Sequence, residues 1–203
     1  MQHTPFTEPI TLEGYGVKLM PLKAQHQQAL AAAAADGELW NLRYTSVPEP
    51  ENTASYIQQA HEMLALGTRL PFTVFDTQNN TVLGSTSYHD IVPNIRRVEI
   101  GYTWYAQSAQ RTGVNTACKL LLLTHAFETL HCNVVGFRTD IFNRKSRNAI
   151  ERLGAKLDGI LRGHALRRDQ TIRDTVMYSI TSGEWPEIKA HLLALIKKNH
   201  KNP

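Results

Sequence analysis

Cysteine is scarce. The 203-residue chain has only two, Cys118 and Cys132, and two residues at that spacing make neither a disulfide framework nor a zinc site. Long apolar runs are missing as well: no stretch approaches the ~20 residues that span a bilayer. The start, Met1-Gln2-His3-Thr4-Pro5, has neither the basic region nor the apolar core of a secretory signal. Charge of one sign is in short supply: 22 basic and 18 acidic residues leave a net +4, a weak argument for nucleic acid. The nine histidines show no paired metal spacing, and there is no internal repeat or low-complexity linker. These absences point to a cytoplasmic, reduced protein without a structural metal and without a membrane span.

What is present fits one well-filled core. Apolar residues make up 42% and charged residues 20%, so disorder is not expected. The reading is a single domain over 1–203, with its core at about 15–181 and a terminal helix at about 184–199. The tail lysines Lys197, Lys198 and Lys201 complement the end of that helix. Its apolar spacing with Trp185 offers a face for a second subunit, so a homodimer is an open expectation.

Periodicity predicts a strand over 14–20, ended by Pro21, and helices over 24–36 and 51–66, with Pro48 and Pro50 breaking the chain between them. Strands at 71–75 and 81–88 form a hairpin, and a long strand covers 97–105. An apolar-rich helix over 113–130 leads to a buried-looking strand at 133–139. A helix over 143–153 is closed by Gly154, and strands at 156–167 and 171–180 meet at Asp169-Gln170. The fold class is therefore α+β: a central mixed, mostly antiparallel sheet of about seven strands flanked by helices, with an extra C-terminal helix. Only the 133–139 strand arrives by a helical crossover, so it should run parallel to the 97–105 strand. Two parallel neighbours inside an antiparallel sheet leave an opening at their C-terminal ends.

The stretch that carries chemistry begins there. Val98-Glu99-Ile100-Gly101-Tyr102-Thr103-Trp104-Tyr105 ends a strand, a small-residue loop from Ala106 to Ala109 turns the chain, and Gln110-Arg111-Thr112-Gly113-Val114-Asn115-Thr116 opens a helix. The free N–H groups of a helix start, with its dipole, attract anions. Arg111 adds charge, Thr116 a hydroxyl, and Gly113 room for a phosphate. A diphosphate is the natural ligand, although a plain tight turn accounts for the same residues. The loop is neither a Walker loop nor a three-glycine dinucleotide fingerprint.

Gln110-x-x-Gly113-x-Asn115 resembles the Q/R-x-x-G-x-G/A signature of the GNAT acetyltransferases, and Glu99-Ile100-Gly101-Tyr102 resembles that family's fourth strand. Asn143-x-x-Ser146, leading to Glu151-Arg152-Leu153-Gly154-Ala155, is similar to a segment of the RimJ/RimL-type branch, which acetylates protein N-termini. The element order matches from about Tyr15 to Ile180. Asn115 stands where Gly or Ala is usual and narrows the loop.

The resemblance implies acetyl-CoA as acyl donor. Tyr102, Thr103 and Trp104 would contact the pantetheine arm through their main chain. Gln110, Arg111, Thr112, Gly113, Val114, Asn115 and Thr116 would hold the diphosphate. Asn143 would bind the arm, although an Asn there is also a good helix N-cap. Glu99 is the candidate base and Ser146 the candidate acid for the leaving thiolate. Each has a plain structural alternative: an ion pair with Arg96 or Arg97 for Glu99, and a first-turn bond to Asn143 for Ser146. Trp40, Tyr44, Tyr88, His89, Arg138 and Asp140 are candidates for the amine pocket. Arg162, His164, Arg167, Arg168 and Arg173 make the last hairpin basic.

The expected function is transfer of an acetyl group to a primary amine, a protein N-terminus or a small molecule. The alternatives are a non-catalytic acyl-CoA-binding module and a ribosome- or RNA-associated protein.

Overall fold

The computed structural model describes residues 5–199; Met1–Thr4 and Lys201, used in the sequence argument above, lie outside the described residues. The strands are β1 (Leu12–Gly14), β2 (Val17–Pro21), β3 (Arg69–Asp76), β4 (Val82–Val92), β5 (Arg97–Tyr105), β6 (Val134–Asp140), β7 (Lys156–Leu166) and β8 (Ile172–Thr181). The helices are α1 (Gln27–Ala35), α2 (Thr53–Ala65), α3 (Val114–Thr124), α4 (Arg144–Arg152) and α5 (Trp185–Asn199). All eight strands form one sheet in the order β1-β2-β3-β4-β5-β6-β8-β7.

The eighth strand comes from the first predicted one. Residues 14–20 do not run straight: Tyr15 (φ 54°) and Gly16 (φ 81°) turn the chain, so that Gly14 pairs with Val17 and Leu12 with Leu19. Two central residues with positive φ make a tight hairpin whose twist matches its strands. The predicted helix over 113–130 also changes character. Regular turns end at Thr124, and His125–Thr129 form a π-helical turn closed by the Leu130 N–H on the His125 carbonyl at 3.0 Å.

Helices cover both faces, over two separate apolar clusters. On one face, Leu30, Ala34, Ile57 and Ala60 of α1 and α2 pack with Phe75 and Trp104. On the other, α3, α4 and α5 bury Leu120, Leu122, Ile150, Ile188 and Leu192 against Phe72, Val98 and Phe137. Each fully buried aliphatic side chain is worth ~1.5–3 kcal/mol. Helix α5 spends its apolar face within the chain: Trp185 stacks on Phe127, and Ile188, Leu192 and Ile196 are buried. The apolar spacing of this helix is therefore no argument for a second subunit.

The parallel pair is where the site forms. Strands β5 and β6 run parallel, as their helical crossover requires, but pair only over Arg97–Glu99 and Val134–Gly136. Beyond those residues they diverge. Strand β5 also bulges: Ser87 faces Gly101 and Ser85 faces Trp104, so two steps on β4 meet three on β5. The bulge centres on Tyr102, which holds φ at 49°. A non-glycine residue there costs of order 1–3 kcal/mol, and such strain gathers at functional sites.

Candidate active site

The divergence of β5 and β6 opens a cleft of about 760 Å³. One end is the start of α3. Gln110 Nε2 donates to the Tyr105 carbonyl at 3.2 Å and closes the loop back onto the strand. Arg111 takes φ 61°. The Thr112 hydroxyl donates to the Ala109 carbonyl at 2.7 Å. Among the described residues, the N–H groups of Arg111, Thr112, Gly113, Asn115 and Thr116 have no backbone carbonyl partner. Five such donors at the positive end of a helix form a cradle for phosphate oxygens. The side chains divide. Gln110, Arg111, Thr112 and Asn115 line the cleft. Thr116 is buried, and its hydroxyl accepts from Arg152 at 3.4 Å; it meets the cradle through its N–H alone.

The walls of the middle section are β5 and α4. Tyr102, Thr103 and Trp104 line it from one side, Asn143 and Ser146 from the other. Asn143 Oδ1 accepts the Ser146 N–H at 3.1 Å and caps α4. Lys119 reaches the same wall from α3; sequence reasoning passed over it. It is the one charged residue in the apolar run Val114–Leu123, and that was the available signal. Lys119 is 5% exposed and donates to the Thr103 hydroxyl at 2.8 Å. Burial lowers its pKa from 10.5 to about 8.

The far end lies on the face of α1 and α2. Tyr44, His89, Arg138 and Asp140 line it, joined by His164 and Arg173 from the last hairpin. Arg168 ties the 38–49 loop across this mouth, donating to the carbonyls of Trp40 at 2.8 Å and Val47 at 3.1 Å. Trp40 thus serves through its backbone, and its side chain is not among the lining groups. Asp140 is neutralised by Arg167, whose Nε donates to it at 2.6 Å.

Tyr88 is misplaced in the sequence reading. Neighbours on a strand face opposite ways. With His89 in the cleft, Tyr88 points into the core beneath α3, where it is 0% exposed and its hydroxyl donates to the Leu122 carbonyl.

Glu99 also departs from expectation. It is 0% exposed and does not line the cleft. Its two oxygens accept from Arg97 and from Arg138 Nε, and both arginines also bond Asp90, at 2.9 and 2.6 Å. Two carboxylates and two guanidinium groups close a ring. Buried outside the cleft lining and held by two guanidinium groups, Glu99 is not placed to meet an amine in the cleft, as the expected base would have to be; in the structure it anchors Arg138. Gly136 makes room for it, since a Cβ there would lie 2.7 Å from Glu99 Cγ.

His89 lies over β5, where a Cβ on Gly101 would come within 2.2 Å of its Nε2. Burial first, then the charge of Arg138, lowers its pKa to about 3, so the imidazole is neutral at ordinary pH. Arg69 was not foreseen either. It is 2% exposed, donates to Ser87 Oγ and to Tyr56 Oη, each at 2.9 Å, and lies on the Tyr102 ring.

Against this geometry, the family model for the acetyltransferase (GNAT) domain matches residues 17–156. The chain belongs to the GNAT acetyltransferase family. It is 35% identical over 107 residues to "Putative ribosomal N-acetyltransferase YdaF" of Bacillus subtilis (strain 168), which covers 53% of the chain and 57% of that protein. The chain thus matches a little over half the length of that curated relative. A GCN5-related N-acetyltransferase from Brucella melitensis superposes with a TM-score of 0.85 at 27% identity, over 95% of this chain and 87% of that one. Mycobacterium smegmatis RimJ, solved with CoA-disulfide, has the same fold: TM-score 0.78 at 20% identity, over 93% of this chain and 96% of that one. The likeness to YdaF supports the RimJ/RimL-type branch of the GNAT family. No helix among the described residues is long and apolar enough to cross a membrane.

Proposed function

We propose that this GNAT protein takes an acetyl group from acetyl-CoA and passes it to a primary amine, with the α-amino group of a protein N-terminus as the favoured acceptor. The observation that carries this reading is the continuity of one cleft. It runs from the free N–H groups of the 110–116 loop, past the bulge at Tyr102, to the arginine-lined mouth.

The residues present suit the donor. The loop donors and Arg111 would hold the diphosphate. The exposed edge of β5 at Tyr102, Thr103 and Trp104, where pairing with β6 has stopped, would hold the amide-bearing arm, with Asn143 opposite. When bound, acetyl-CoA supplies a thioester that a neutral amine can attack. At the bulge Tyr102 and Thr103 have no register partner on β4, and their main-chain N–H groups would polarise the carbonyl. Ser146, on the facing wall, is the proton donor for the departing sulfur.

Arg173, which has no carboxylate within ion-pair distance among the described residues, makes the mouth positive, and a positive neighbour favours the neutral form of an incoming amine. An α-amino group, with a reference pKa of ~8, is deprotonated there far more readily than a lysine at ~10.4. YdaF bears the name of a ribosomal N-acetyltransferase, which agrees with an amine on a protein as acceptor.

The test is release of free CoA thiol from acetyl-CoA across a panel of N-terminal peptides and small amines. Binding is followed separately by the fluorescence of Trp104, which lines the cleft. Thiol release with N-terminal peptides, reduced ~10²–10⁴-fold in Ser146→Ala, is the expected result. Binding of acetyl-CoA without release for any amine would leave a non-catalytic module instead.

A further inference from the structure

Lys119 is a cation without an anion. No Asp or Glu lies within ion-pair distance of it among the described residues. Its partners are two neutral hydroxyls, Thr103 Oγ1 at 2.8 Å and Thr86 Oγ1 at 3.5 Å, which also bond each other at 2.8 Å. Glu99 is held by arginines, and Asp140 by Arg167. A buried ammonium is costly unless paired, and a leucine or methionine would fill this place without that cost. Yet the side chain lines the cleft together with Asn115, one helical turn earlier on α3, and Thr103, the residue that follows the strained Tyr102. The charge therefore stands where the donor wall meets the bulge, on the α3 face of the sheet. The mouth for the amine is on the other face.

We propose that Lys119 is the counter-ion for an acyl donor that ends in a carboxylate, so that the donor site takes short dicarboxylic acyl-CoA thioesters, of the succinyl type, in preference to neutral acyl groups of the same length. The inference rests on the acyl-CoA reading of the cleft and adds the class of acyl group. The Lys119 ammonium donates to the terminal carboxylate in a charge-assisted bond. Thr103 and Thr86 hold the ammonium in place. The lowered pKa leaves it largely protonated at neutral pH.

The experiment compares equilibrium binding of CoA, acetyl-CoA, butyryl-CoA and succinyl-CoA to the whole 203-residue chain, followed by tryptophan fluorescence, to which Trp104 in the cleft contributes. Butyryl-CoA matches succinyl-CoA in chain length and lacks the charge. The expected result is succinyl-CoA binding ~10-fold tighter than butyryl-CoA. That preference should fall to about twofold or less in Lys119→Met, and survive in part in Lys119→Arg. Lys119→Gln serves if the methionine variant does not fold. Equal binding of the two thioesters by the wild-type protein would overturn the inference. So would a preference that persists in the uncharged variants. If neither CoA nor any thioester binds, the acyl-CoA reading itself fails and this inference falls with it.

Discussion

The guanidinium carbon of Arg69 lies 3.9 Å from the centroid of the Tyr102 ring. One residue is a buried cation on β3, the other the bulged residue of β5 with φ 49°. Stacking of this kind, together with the bonds from Arg69 to Ser87 and Tyr56, holds the bulge in a conformation that its own backbone disfavours. Tyr56 accepts from Trp104 as well, at 3.3 Å, so the clamp reaches both sides of the bulge.

Loss of the clamp should therefore affect stability and catalysis together. Arg69→Met is expected to lower stability by about 2–4 kcal/mol, since it leaves the Ser87 hydroxyl without its arginine donor, leaves Tyr56 with Trp104 as its one donor, and removes the stack. Tyr102→Phe keeps the ring over Arg69 and should stay within about 0.5 kcal/mol of wild type. Urea unfolding of the two variants gives the comparison. Equal losses would mean that the ring contact is not what holds the bulge.

Glu99→Gln separates an anchor from a base. An anchor leaves Arg97 and Arg138 with a weaker partner, so stability should fall by about 2–3 kcal/mol, and kcat by less than about tenfold. The acid limb of the pH–rate profile should keep its position, because the amine itself supplies it. A base would behave otherwise: kcat would drop ~10²–10⁴-fold and the acid limb would vanish. Steady-state kinetics between pH 6 and 9 distinguish the two.

Much of this was legible from local pattern. Val98 and Ile100 alternate with Glu99 and Gly101, which bounded β5, and the Gln110–Thr116 loop was found from its helix start. Other features depend on contacts distant in sequence. The face of a strand is not written in its alternation when both faces are buried, so Tyr88 and His89 were equivalent candidates. Glu99 meets its second guanidinium only because Arg138, 39 residues on, sits on the neighbouring strand. Gly14-Tyr15-Gly16 carried a turn signal that the apolar run after it obscured. Lys119 was hidden by the reverse effect, a charge inside a helix read by its leucines.

Cys118 and Cys132 should be inert in the native protein. Both are buried, and burial raises each thiol to about 11. Alkylation needs the thiolate and access to it. Iodoacetamide at pH 8 is expected to leave both unmodified over a time that labels them fully in urea, as read by intact mass. Rapid labelling of either in the native state would contradict the burial of that residue.

Lys119 has a signature of its own in stability against pH. Unfolded, its ammonium keeps the ordinary value of 10.5; folded, the value is about 8. Between those two pH values the folded chain binds fewer protons than the unfolded one, so stability gains from Lys119 as pH rises through the window. Below about pH 8 both states are protonated and the folded one carries the buried charge, at a cost of roughly 3 kcal/mol. Above about pH 10.5 both are neutral and the penalty is gone. Lys119→Met removes the charge and fills similar volume, a change that usually costs less than ~1.5 kcal/mol. The variant should thus be more stable than wild type at pH 7, and the difference should shrink as pH approaches 10. Subtracting the two urea-unfolding series cancels the other groups that titrate in this range. A difference that stays constant with pH would mean that Lys119 keeps an ordinary pKa in the fold. Saturating succinyl-CoA adds a second arm: if the carboxylate pairs with the ammonium, bound ligand raises the folded-state pKa and moves the window upward, whereas butyryl-CoA leaves it where it was.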